Sequence, residues 1–207
     1  MPEELTITNK AAPKRYYTCP PFLTRLFELL HDKQAGHSYA RAAFSHLAFG
    51  HAAGEDAEIM RVMGNTLGGE IGRDNTDHHF RQRLIVSGLF ATYPETVASV
   101  ESEFSFGASC RRLRAAMGGV GVDSLDLRFG ALLDAPLDDA HELLEAIISR
   151  CSATKYDITV DYISLYHNLC RWNSEEPQKR WAKDFWVYSD SEMKKESQQE
   201  STEQITE

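Results

Sequence analysis

Apolar residues recur at helical spacing along most of this chain. Phe22, Leu23, Leu26, Phe27 and Leu30 follow the i, i+3, i+4 rule after Pro20-Pro21, and Gly36 ends the run. Tyr39, Ala40, Ala43, Phe44, Leu47 and Ala48 mark a second helix over about 37–49, closed by Gly50. Ile59, Met60, Met63 and Leu67 suggest a third, stopped by Gly68-Gly69. Asn75 or Thr76 caps a longer one carrying Phe80, Leu84, Ile85, Leu89 and Phe90, which Pro94 stops.

The second half repeats the pattern. Phe106, Cys110, Leu113 and Met117 share a face, and Gly118, Gly119 and Gly121 follow as a helix stop and mobile loop. Leu125, Phe129, Leu132 and Leu133 form the next stripe, started by Asp123 or Ser124. Pro136 opens a helix over about 137–151, with Asp138, Asp139 and Glu142 leading and Arg150 at its end, as the helix dipole favours. Thr159 or Asp161 starts another through Tyr162, Ile163, Leu165, Tyr166, Leu169 and Trp172. The last, about 175–188, turns Trp181, Ala182, Phe185 and Trp186 inward. No alternating strand or repeat interrupts the series. The expectation is an all-α fold, a compact bundle of about eight to nine helices.

Length and charge refine this picture. With 207 residues and 42% hydrophobic content, the chain can bury a substantial core. Residues 1–18 read as a flexible polar arm, 19–188 as a single all-α domain with a candidate subdivision near 95–104, and 189–207 as a disordered acidic tail. The tail holds six acids and two lysines, so it carries −4 of the net charge of −9. An acidic balance argues against binding naked nucleic acid through bulk charge, but it leaves room for a local cationic track. Cys19, Cys110, Cys151 and Cys170 lack C-x-x-C spacing; Cys110, Cys151 and Cys170 sit beside apolar residues in helical patterns and read as reduced core cysteines of a cytoplasmic protein. No signal peptide or membrane span is expected.

One stretch departs from the acidic background. Arg111, Arg112 and Arg114 place three arginines in four positions, and no acid occurs between Glu103 and Asp123. At about 100° per residue, Arg111 points away from the apolar stripe, while Arg112 and Arg114 flank it. Two readings stay open on the residues alone. The arginines neutralise phosphates, or they meet acids from elsewhere on a solvated surface. Arg41 lies away from the centre of its stripe, Arg61 and Arg73 are exposed candidates, and Arg128 lies at the edge of its helical face.

Catalytic patterns are sparse. His141 and Glu145 share a helical face, but the second zinc histidine of a metalloprotease helix is absent. Adjacent His78 and His79 point about 100° apart and cannot chelate together. Gly118-Gly119-Val120-Gly121-Val122-Asp123 matches one unit of a calcium-binding repeat, without the stacked neighbour such a site needs. Ser105, Ser109 and Cys110 have no partner at nucleophile spacing. The tryptophans Trp172, Trp181 and Trp186 fit a core better than a base-stacking surface. The chain is read as a non-enzyme with no metal site and no cofactor. A metal-dependent enzyme using His78, His79, His141 or Glu145 is the remote alternative.

Four blocks taken together resemble the CasB family, the small subunit of the type I-E CRISPR surveillance complex, Cascade. They are Ser105-Phe106-Gly107-Ala108-Ser109-x-Arg111-Arg112-Leu113; Arg128-Phe129-x-x-Leu132-Leu133-Asp134-Ala135; Ile158-Thr159-Val160-Asp161-Tyr162 with Leu165, Leu169 and Trp172; and Arg180-Trp181-Ala182-Lys183-Asp184-Phe185-Trp186. The resemblance spans roughly 85–188 and is weaker around Ala40-Arg41-Ala42-Ala43. It implies an all-α, non-catalytic subunit that sits as a pair with a second copy of itself. Its implied partners are the backbone and large subunits, the crRNA, and the target and displaced DNA strands. Guide pairing would read sequence while the protein contacts backbone. The matching cations are Arg111, Arg112 and Arg128, with Arg41 beside them. Lys179, Arg180 and Lys183 are added from charge, and Arg114 is left to the surface-pair reading. Family members often carry a second arginine where Ser45-His46 stand, and basic residues where Asn173-Ser174-Glu175-Glu176 stand. The strand path implied here is therefore narrower or shifted. A purely protein-interacting scaffold is the alternative.

Overall fold

The computed structural model describes residues 17–53, 61, 64, 79–119, 121–153 and 158–187. Among these, eight α-helices pack without a strand: α1 (Pro21–Gln34), α2 (Ser38–Ala53), α3 (Phe80–Thr92), α4 (Phe106–Ala116), α5 (Val122–Asp134), α6 (Leu137–Ser152), α7 (Tyr162–Cys170) and α8 (Glu176–Trp186). Short 3₁₀ turns occupy Pro94–Thr96 and Trp172–Ser174. Most of the helix expected near 57–67, His78 and all of the expected acidic tail lie outside the described residues. No helix among the described residues is long and apolar enough to cross a membrane.

The local signals act where the pattern places them. Pro21 stands at the first turn of α1, where a missing N–H costs nothing. Asp161 caps α7 by accepting from the backbone N–H groups of Ile163 and Ser164, both at 3.0 Å. Gly118, Gly119 and Gly121 take φ values of 59°, 97° and 79°, so the chain leaves α4 and enters α5 through left-handed backbone that glycine tolerates.

Two helices depart from the one-stripe expectation. α3 is buried from Leu84 through Ala91, together with Gln82, and α7 is buried at every residue but His167 and Cys170. Helices enclosed on all sides form the centre of a fold rather than its surface. α1, α2 and α6 pack on α3, while α4, α5 and α8 pack on one another, with α4 and α5 also meeting α6. The α2–α3 crossing is so tight that a Cβ on Gly88 would lie 2.5 Å from the His51 ring.

The stretch 95–104 is tied to the body. Val97 and Val160 form an isolated parallel bridge, in which Ala98 N–H donates to the Val160 carbonyl at 3.0 Å and Val160 N–H to the Thr96 carbonyl at 2.7 Å. At the other boundary, Tyr17 stacks on His167 at 4.7 Å, and the Thr18 carbonyl lies 2.8 Å from His167 Nε2. The last two residues assigned to the flexible arm are thus docked on α7.

Trp172 and Trp181 are core residues, as expected, but Trp186 is not: it is 47% exposed. Its ring meets Phe129 and Phe185 edge-on at 5.5 and 5.1 Å, at the last turn of α8, where nothing described covers the outer face. Ala182, also expected inward, is half-buried.

Cys110 and Cys151 are buried thiols outside any disulfide, and burial pushes both up, Cys151 from 9.0 to about 12. The unfolded chain ionises Cys151 above pH 9.0, while the folded chain keeps its proton up to about 12. Stability is therefore full below pH 9.0 and falls as pH rises through that window. Urea midpoints should drop there, and a constant midpoint contradicts the assignment. In native protein iodoacetamide should reach half-buried Cys19 and Cys170 well before Cys110 and Cys151.

Candidate nucleic-acid interface

The cationic stretch is carried on a helix whose first two turns are firmly anchored. Ser105 caps α4, its Oγ accepting from Ala108 N–H at 3.2 Å and donating to the Asp184 carboxylate of α8. Phe106 packs on Trp181 with ring centroids 5.1 Å apart. Gly107 lies against the α8 backbone: a Cβ there would stand 2.2 Å from the Trp181 carbonyl oxygen. Ser109 Oγ donates to the Thr159 carbonyl at 2.8 Å, and Cys110 and Leu113 are fully buried. The Ser-Phe-Gly-Ala-Ser block is thus a docking motif for α4 on α8 and on the strand-like approach to α7. On this rigidly held helix Arg112 is exposed and Arg111 is half-buried.

The individual cations differ in what holds them. Arg111 is half-buried, one turn beyond Gly107, on the side where α8 crosses. Arg112 is exposed, and its guanidinium carbon sits 4.4 Å from the centroid of the Phe104 ring. Phe104 precedes the helix and belongs to no apolar stripe, so spacing gives no sign of its role. Arg114 is committed: Nε and Nη2 donate to the two carboxylate oxygens of Asp126 at 2.9 and 3.1 Å, and its guanidinium lies 5.8 Å from the Phe185 ring. This is the surface-pair arrangement expected of it.

Arg128, on α5, is half-buried beside core Phe129 and has no ion pair among the described residues. On α8, Lys179 pairs with Glu175 at 3.2 Å, and Arg180 lies 3.9 Å from Asp184 and 3.5 Å from the Tyr17 hydroxyl. Lys183 is exposed. The mutual packing of α4, α5 and α8 gathers Arg111, Arg112, Arg128, Lys179, Arg180 and Lys183 on one three-helix unit. Arg41 is exposed on α2, which packs chiefly on α1 and α3, so it stands apart from that unit.

Of the remote metal candidates, His141 and Glu145 turn to different partners. His141 Nδ1 lies 3.1 Å from the Asp138 carbonyl, while Glu145 turns to the Tyr93 hydroxyl at 3.4 Å and to His51 at 3.6 Å. No group of three or more potential metal ligands occurs among the described residues. The molecule is by class an all-α protein in which seven of the 22 lysines and arginines lie on α4, α5 and α8. The profile of the family described as CRISPR-associated protein Cse2 matches residues 40–186, and the chain belongs to that family. The fold agrees with solved structures. It is similar to the crystal structure of CasB from M. ruber, with 23% identity and a TM-score of 0.59 over 78% of this chain and 92% of that one. It is also similar to a CRISPR-associated protein of the Cse2 family from Thermus thermophilus, with 20% identity and a TM-score of 0.60 over 83% and 100%. A structure of CasB from Thermus thermophilus gives 19% identity and 0.60 over the same shares. No curated protein matches the chain.

Proposed function

We propose that this chain is a non-catalytic small subunit of a cytoplasmic type I-E Cascade, where it stabilises the crRNA-guided R-loop in antiviral defence. It contacts the nucleic-acid backbone of the target or displaced strand, the neighbouring backbone and large subunits, and a second copy of itself. The observation that carries this reading is the anchoring of α4: its first turns are spent on α8 and Thr159, which presents Arg111 and Arg112 within a stretch free of acids from 104 to 122. Arg128 and Lys183 extend the track, and Arg41 forms a separate contact. Lys179 and Arg180 contribute less net attraction, because Glu175 and Asp184 already offset their charge.

The double substitution Arg111→Ala with Arg112→Ala tests this. Each phosphate that is no longer neutralised should lower the slope of log affinity against log salt by about 0.7–0.9, with assembly unchanged. An unaltered slope overturns the interface. The scaffold reading is favoured by the Arg114–Asp126 pair and by the net charge of −9. Co-purification with crRNA-complex subunits, without DNA crosslinks to residues 105–128, would establish it instead.

A further inference from the structure

We propose that Arg112, laid on the ring of Phe104, is a stacking platform for an unpaired nucleobase, so that the strand on this face is held single-stranded. The inference rests on the nucleic-acid reading above and specifies the form of the ligand. The two residues are an exposed cation and a half-buried aromatic at 4.4 Å, within the range of a cation–π contact. The pair is positioned from below. Phe104 N–H donates to the buried Asp161 carboxylate at 3.4 Å, and the next residue, Ser105, caps α4.

Arg112 differs from its neighbours in what it is committed to. Arg114 is spent on Asp126 and Arg180 leans on Asp184, whereas no carboxylate among the described residues pairs with Arg112. A cation that only neutralises phosphate needs charge, and lysine supplies that as well. An arginine backed by an aromatic ring offers something lysine lacks: a planar, weakly hydrated group held in place, against which a base face can lie. Paired bases in a duplex do not present that face, so the platform selects an unpaired strand.

The full chain titrated with a fluorescent oligothymidylate, and with an abasic backbone of the same length, tests the proposal at low salt. The unmodified chain should bind the base-bearing strand about tenfold more tightly than the abasic one. Arg112→Lys should remove most of that preference, bringing the ratio of the two affinities towards one, because the charge remains but the planar group does not. The position is exposed, so thermal unfolding of the variant should match the parent. Equal affinity of the unmodified chain for both strands overturns the platform and leaves the proposed function standing, as does a preference that survives Arg112→Lys. Failure to bind either strand overturns the proposed function itself.

Discussion

Gly107→Ala should destabilise the protein by about 3 kcal/mol or more, lowering its melting temperature by about 6 °C or more. Two terms compete. Alanine is the better helix former by about 1 kcal/mol in a helix interior. Against it, the new methyl would stand 2.2 Å from the Trp181 carbonyl oxygen and 2.8 Å from the Trp181 Cα and carbonyl carbon. These are backbone atoms of α8, so no side chain can rotate away. α4 and α8 must separate, which undoes the Phe106–Trp181 packing and the Ser105–Asp184 hydrogen bond together. Gly130 supplies the control. It lies inside α5 with nothing within 4 Å of its would-be Cβ, so Gly130→Ala should stabilise by about 0.5–1 kcal/mol. Thermal unfolding of the two variants should move in opposite directions. A Gly107→Ala protein as stable as the parent would mean that the crossing is looser than described.

Asp161→Ala should cost about 2–5 kcal/mol. The side chain is 4% exposed and accepts from four donors. Oδ1 takes the N–H groups of Ile163 and Ser164, while Oδ2 takes Ser164 Oγ at 2.7 Å and Phe104 N–H at 3.4 Å. Losing the helix cap accounts for about 1–2 kcal/mol. Stranding the buried Ser164 hydroxyl adds about 1–3 kcal/mol. Asp161→Asn should fall between, since an amide oxygen still caps α7 but the NH₂ group cannot accept from Ser164 or Phe104. Urea titration reads the stability order. Hydrogen exchange at the Phe104 amide reads the tether, and its protection should vanish in the alanine variant even at temperatures where the protein stays folded. Because Phe104 lies beneath Arg112, the same variant loosens the cationic face without removing an arginine.

These effects separate two roles within one short block. Ser105, Phe106, Gly107 and Ser109 hold α4 to α8 and to Thr159, and none of them is needed to touch a ligand. Arg111 and Arg112 follow one turn later and carry the proposed contacts. A block of sequence that reads as a functional motif is therefore mostly a packing device, with the two residues of the proposed contacts at its end.

The chain's periodic pattern by itself determined that the protein is helical and where most helices start and stop. Helical geometry is local: a spacing of three and four residues fixes a face, and a proline, a glycine or a capping aspartate fixes an end, whatever lies beyond. The tertiary structure alone decided what each face meets. The one-stripe reading of α3 missed that Gln82, Val86, Ser87 and Gly88 are buried too, because enclosure on all sides depends on neighbours far along the chain. It decided that Arg114 belongs to Asp126 while Arg112 belongs to Phe104, that Trp186 stays exposed while Trp181 is enclosed, and that Arg41 lies outside the unit of α4, α5 and α8. Such pairings follow from how helices cross, and crossing is set by shape and close approach between residues that no spacing rule connects.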